Sequence, residues 1–336
     1  MPPFLLLKKM ALSVFLSIRR KEKIWMEAVR QRNLIKEKII RLKNKDIGLY
    51  LLVLLPILYF VVFKYVPMFG ILIAFQDYNI FQGIWGSEFI GFEIFKELFS
   101  STDFLNALRN TVFLSLGEFI LGTPAPIILA LMLNEVRLKK FKKVTQSIMY
   151  LPHFLSWVIV GGLILQLFSI HGFVNNFISA MGMERISFLT EKSSWIVMFL
   201  FTGVWKGVGW GTIIYLAALT NVNPEIFEAA KVDGCGRIKC IWYITLPTIF
   251  PTIAIVFVLG LGGLLDVGFE KMYALTNPYV SEVSDVIATY VYRVGIQSLR
   301  YNISTAAGLF QSVVTVILVT GTNYISRKLN DEGILW

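Results

Sequence analysis

Two ionisable side chains stand in stretches that hold almost nothing else polar: Glu118 in FLSLGEFILG and Lys206 in FTGVWKGVGWG. A charge inside so apolar a segment is costly unless it faces a cavity or a partner. The two residues therefore predict either an ion pair across a helix bundle or groups lining a passage. Around Lys206, the residues Gly203, Gly207 and Trp210 recur at helical spacing. One helix face then carries a cation and an indole beside glycines that leave it open, which suits stacking against a sugar ring. Gln311 and Thr315, one helical turn apart, offer an amide and a hydroxyl to a ligand rich in hydroxyls. The competing expectation is packing, with polar side chains bonding between helices and Gly203, Gly207, Gly260 and Gly263 letting backbones approach. Trp157 and Tyr215 read as interfacial aromatics.

Other chemistries find no footing. Cys235 and Cys240 have no second cysteine pair to complete a four-ligand zinc site and read as free thiols. His153 and His171 lack a nearby Asp, Ser or Cys in a hydrolytic arrangement. The catalytic and metal inventories are therefore expected to be empty. No G-x-x-x-x-G-K-[ST] occurs, so the chain is not expected to bind ATP through a P-loop.

The elements that must hold these groups are membrane spans. The chain is 56% hydrophobic and only 16% charged. Runs such as LYLLVLLPILYFVVF leave no face for water, and a span takes about 20 helical residues. Six segments qualify, at about 47–69, 107–134, 145–168, 194–219, 248–268 and 305–326. Backbone in lipid must satisfy its own hydrogen bonds, so the fold class is all-α. Residues 1–46 hold 13 Lys or Arg against 4 acids, and the loop after the second span reads RLKKFKK. Basic loops stay in the cytoplasm, so both termini and the loops after spans two and four are expected there. The net charge of +10 is a topology signal, and no nucleic-acid partner is expected. The basic extension 1–46 is separate from the membrane domain 47–336 and is expected either to lie as a helix on anionic lipid or to form a disordered basic tail.

The loop between spans four and five, NPEIFEAAKVDGCGRIKCIWYITLP, carries the strongest local signals. Asn223 caps a helix whose first residue is Pro224, and Glu225 and Glu228 follow where the helix dipole favours acids. Gly234 stops this helix by entering the left-handed region, and a second short helix runs from Gly236 until Pro247 opens the next span.

Glu228-Ala229-Ala230, three residues, Gly234, nine residues, then Ile244-x-Leu246-Pro247 resembles the EAA signature of permease subunits in binding-protein-dependent ABC importers. FKYVPMFGILIAFQDYN, RNTVFLSL, GTPAPIILALMLNEVR, YLPHFLSWVIVGG and SDVIATYVYRVGI resemble its polysaccharide and alginate branch. The resemblance implies a multi-pass protein of the bacterial plasma membrane that imports an oligosaccharide. It implies a second homologous permease, two ATPase subunits that bind ATP and Mg, and an extracellular sugar-binding protein. Glu228, Ala229, Ala230, Asp233, Gly234, Ile244, Leu246 and Pro247 would then form a cytoplasmic coupling element, with Glu228 meeting a basic group on the ATPase. The long loop from Val267 to Ser304 would dock the binding protein or gate an outer cavity. The rival expectation, an ion-coupled sugar transporter acting alone, would call for internal repeats and broken helices around an ion site.

Overall fold

The computed structural model describes residues 48–329, with side chains to residue 324. The basic extension and both chain termini, whose placement the charge pattern predicts, lie outside the described residues. Residues 48–69 belong to one compact unit and the following residues to another. The described residues of the first unit are helical and exposed.

Among the described residues the fold is helical apart from a two-residue antiparallel ladder, Gln76–Asp77 against Glu88–Phe89. Five helices are long and apolar enough to span a bilayer: α1 (Gly48–Phe75), α3 (Thr102–Glu135), α7 (Lys192–Thr220), α9 (Arg237–Gly262) and α12 (Tyr301–Leu329). The short helix α2 (Glu93–Ser100) precedes α3. At most 28% of any span's apolar stretch is buried within the chain, so lipid or partner helices must cover the rest.

The expected third span is a bent pair. α4 (Lys139–Phe154) and α5 (Trp157–Leu167) meet at 105°. Pro152 tightens the end of α4 into a 3-10 turn, Leu155 and Ser156 are extended, and the Ser156 hydroxyl restarts the helix by accepting from Ile159 N–H at 3.3 Å. The break thus has an identifiable proline and cap. The helix expected to stop before Pro247 instead runs on. A wide turn at Ile241–Thr245, in which Leu246 N–H donates to Ile241, places Pro247 where its missing donor leaves no gap, so α9 is continuous from Arg237.

Beyond the spans lie α6 (Phe173–Ala180), α8 (Pro224–Val232), α10 (Phe269–Leu275) and α11 (Ile287–Tyr292). The core that positions the central residues gathers Leu114 of α3, Val160 of α5, Trp195, Met198 and Phe199 of α7, and Met272 and Leu275 of α10. Trp195 seals it by donating its indole N–H to the Leu275 carbonyl at 3.0 Å.

Glycines decide the helix spacing, and positions beyond those expected take part. A Cβ at Gly209 would fall on the Met149 carbonyl, and one at Gly211 would come within 2.9 Å of Pro126. Gly207 has nothing within 4 Å. Gly209→Ala is therefore expected to destabilise the protein by about 1–3 kcal/mol through overpacking against rigid backbone. Gly207→Ala should leave stability equal or slightly higher. Thermal unfolding of the two detergent-solubilised variants checks the contrast.

Candidate functional site

A cavity of about 430 Å³ opens between α3, α5, α7, α9 and α10. Glu118 comes from α3, Trp157 from the first turn of α5, Trp210 and Tyr215 from α7, and Lys271 from α10, with Asp266 at the rim of the preceding loop. Gly207 leaves the α7 wall bare.

The charges pair differently from the sequence expectation. Glu118 bonds the ammonium of Lys271, not that of Lys206. Lys271 is 2% exposed and lies 3.4 Å from the Phe199 ring centroid. The Glu118 carboxylate beside it is the charge that compensates its burial. Gly203 makes the pair possible, because a Cβ there would occupy the space of the Glu118 carboxylate and the Lys271 ammonium. Lys206 donates to the His153 carbonyl at 3.0 Å. Both ammonium groups approach the Trp157 ring, Lys206 at 5.1 Å and Lys271 at 5.4 Å from its centroid, within range of attraction by its π face.

Trp210 lines the cavity and stacks on His153, with centroids 4.6 Å apart and planes within 4°. One indole face is thus held and the residue stays 47% exposed. Gln311 and Thr315 do not line this cavity. Gln311 donates to the Leu265 carbonyl at 2.8 Å, and Thr315 donates to the Gln311 carbonyl at 2.9 Å. The first bond ties α12 to the loop after α9, and the second closes within α12 itself. Trp157, Tyr215 and Lys271 were not expected in the site. For Lys271 a signal existed: Lys271, Met272 and Leu275 share the buried side of a short helix, a pattern in which a lysine needs a partner.

Trp210→Ala should weaken ligand-dependent function by about tenfold, the loss of a stacking contact of about 1 kcal/mol or slightly more. Assembly should be intact, since Trp210 belongs to no buried cluster. Ligand-dependent turnover and gel filtration of the variant check both halves.

The stretch after α9 frames a second cavity of about 810 Å³, lined by Asp103, Tyr273, Asn277, Tyr292 and Arg293 among others. Arg293 bonds Asp285 at 2.6 Å, and Thr289 donates to the other Asp285 oxygen at 2.7 Å. Burial opposes the Arg293 charge, but the hydrogen bond and charge of Asp285 outweigh it and hold the guanidinium above its ordinary value.

The loop after α7 folds as its residues dictate. The Asn223 side chain accepts from Glu225 N–H at 3.0 Å, and Pro224 opens α8. Gly234 has φ +77°, and Cys235 N–H closes the turn on the Ala230 carbonyl at 2.8 Å. No residue of α8 is buried. Glu228, Ala229 and Asp233 are exposed, while Ala230, Ile244 and Leu246 are half-buried and Pro247 is exposed. Cys235 and Cys240 are free thiols.

Residues 105–331 match the family described as binding-protein-dependent transport system inner membrane component. Protein LplB of Bacillus subtilis is 45% identical over 292 residues, covering 87% of this chain and 92% of that protein. The polygalacturonan/rhamnogalacturonan transport system permease protein YteP of the same organism is 44% identical, covering 89% and 94%. A bacterial ABC transporter involved in the import of the acidic polysaccharide alginate, solved by crystallography, superposes with a TM-score of 0.79 at 43% identity, covering 85% of this chain and 97% of that one.

Proposed function

The chain belongs to the binding-protein-dependent transport system inner membrane components, and from that premise we propose that it forms half of the pathway by which an ATP-driven importer admits an oligosaccharide. It is a multi-pass permease subunit of the inner membrane. A second homologous permease supplies the other half of the pathway. Two ATPase subunits bind ATP and Mg, and an extracellular binding protein delivers the sugar. Both termini lie in the cytoplasm, and α8 docks there on an ATPase subunit.

The observation that carries this reading is α8, a helix capped at both ends by its own sequence that buries none of its residues. A short helix held so rigidly yet packed so little against its own chain is suited to a groove on another protein. Glu228 supplies a charge at its middle, and Ala229 and Ala230 permit close approach. Trp157 and Trp210 give the cavity the flat surfaces on which sugar rings stack. YteP and the alginate importer, by their names, handle polysaccharides.

Reconstitution tests the reading. In proteoliposomes the chain alone is expected to show neither ATP hydrolysis nor sugar uptake. The complex with its sister permease, ATPase subunits and loaded binding protein should show both. Sugar-stimulated hydrolysis by the single chain would overturn the assignment.

A further inference from the structure

The one cation that lines the cavity among the described residues is compensated from within the chain. Lys271 is the one cation among the described lining residues, and its ammonium is bonded to Glu118. Asp266, also at the rim, adds a further negative charge. Lys206 does not line the cavity and is bonded to the His153 carbonyl, with Glu270 as its electrostatic neighbour. The surfaces left for a ligand are the indoles of Trp157 and Trp210 and the bare backbone at Gly207.

We propose that Glu118 acts as a built-in counter-ion that occupies the carboxylate site of Lys271, so that this half of the pathway receives uncharged sugar rings and turns acidic ones away. This rests on the oligosaccharide reading above. Glu118 is 25% exposed to the cavity and Lys271 is 2% exposed, so an incoming carboxylate can reach the ammonium only by taking the place of Glu118. Displacing Glu118 would trade one charge-assisted bond for another and leave an unpaired carboxylate behind, with no net gain. Stacking on indole faces asks for no charge on the ligand.

The test uses the complete importer in proteoliposomes with two probes of one ring geometry, an oligogalacturonide and its methyl ester. The affinity of the binding protein for each is measured separately, so that the corrected uptake ratio reports the permease. Wild type should move the ester at least as well as the acid. Glu118→Ala should shift the ratio toward the acid by about tenfold, the worth of one charge-assisted contact. Glu118→Ala combined with Lys271→Met should remove that shift. Lys271→Met alone, which leaves Glu118 uncompensated, should shift the ratio the other way.

A second measurement does not depend on the sugar. Millimolar acetate, but not acetamide, should raise the thermal midpoint of the Glu118→Ala complex by filling the vacated site. A wild-type preference for the acid that Lys271→Met abolishes would overturn the proposal, as would an absent acetate effect or unchanged ratios in the variants. Uptake of neither sugar, with the acetate effect intact, counts against the oligosaccharide reading and leaves the carboxylate site standing.

Discussion

Replacing Glu228 with alanine is expected to strip the ATPase subunits from the affinity-purified importer while leaving the membrane subunits folded and paired. Glu228 is exposed on a helix that buries nothing, so inside its own chain the substitution removes no packing contact and should change stability by about 0.5 kcal/mol at most. In a partly desolvated groove the same side chain would make a charge-assisted contact, and its loss should cost about 2–5 kcal/mol of docking. Gly234→Val should act on the same step by a different route. The backbone there is left-handed, at φ +77°, and nothing lies within 4 Å of an added Cβ. The cost is therefore backbone strain of about 1–3 kcal/mol, with no clash to relieve. Gly234→Asn, which tolerates that conformation better, should be milder. ATPase retention and sugar-stimulated hydrolysis across the three variants measure the effect. Full retention in Glu228→Ala would reduce α8 to a solvated connector.

Glu118→Ala should be the most damaging single change within the cavity, and more damaging than Lys271→Met. The two partners are unequally buried, Lys271 at 2% and Glu118 at 25% exposure. Removing the carboxylate leaves an ammonium sealed among Phe199 and Trp157 with no counter-charge, a loss of about 3–5 kcal/mol. Removing the ammonium leaves a carboxylate that cavity water can solvate, at a cost of about 1–3 kcal/mol. Lys271→Met also preserves most of the volume packed against the core. Combining the two substitutions should recover much of the Glu118→Ala loss, since no orphaned charge remains. Thermal unfolding of the four forms, as a double-mutant cycle, reads the coupling. Equal single losses that add in the double variant would mean that the two groups do not act as a pair.

The spans and the α8 turn were legible because their signals are local. Twenty apolar residues in a row, an asparagine before a proline, and a glycine ending a helix each report on their own neighbourhood. The proline at 152 gave a warning of the bend between α4 and α5, but the bend also needs Ser156 to restart the helix, and hydropathy averages over both. The cavity was half legible. Glu118 and Trp210 stand out within their helices and do line it. Lys206 stands out equally and turns to a carbonyl instead. Lys271 was hidden because it is 153 residues from Glu118, and its place beside Met272 and Leu275 marks a buried lysine without naming its partner. Pairings between distant elements depend on packing angles, and helical periodicity fixes only which side of a helix a residue occupies.

The break between α4 and α5 ties the charge of Lys206 to the shape of the backbone. In an unbroken helix the His153 carbonyl would accept the N–H of Trp157. Because the chain turns there, that oxygen is free, and the lysine of the neighbouring helix supplies its donor. The ammonium thus serves as a removable stand-in for one rung of a helix. Straightening the pair would hand the carbonyl back to the peptide group and release the cation.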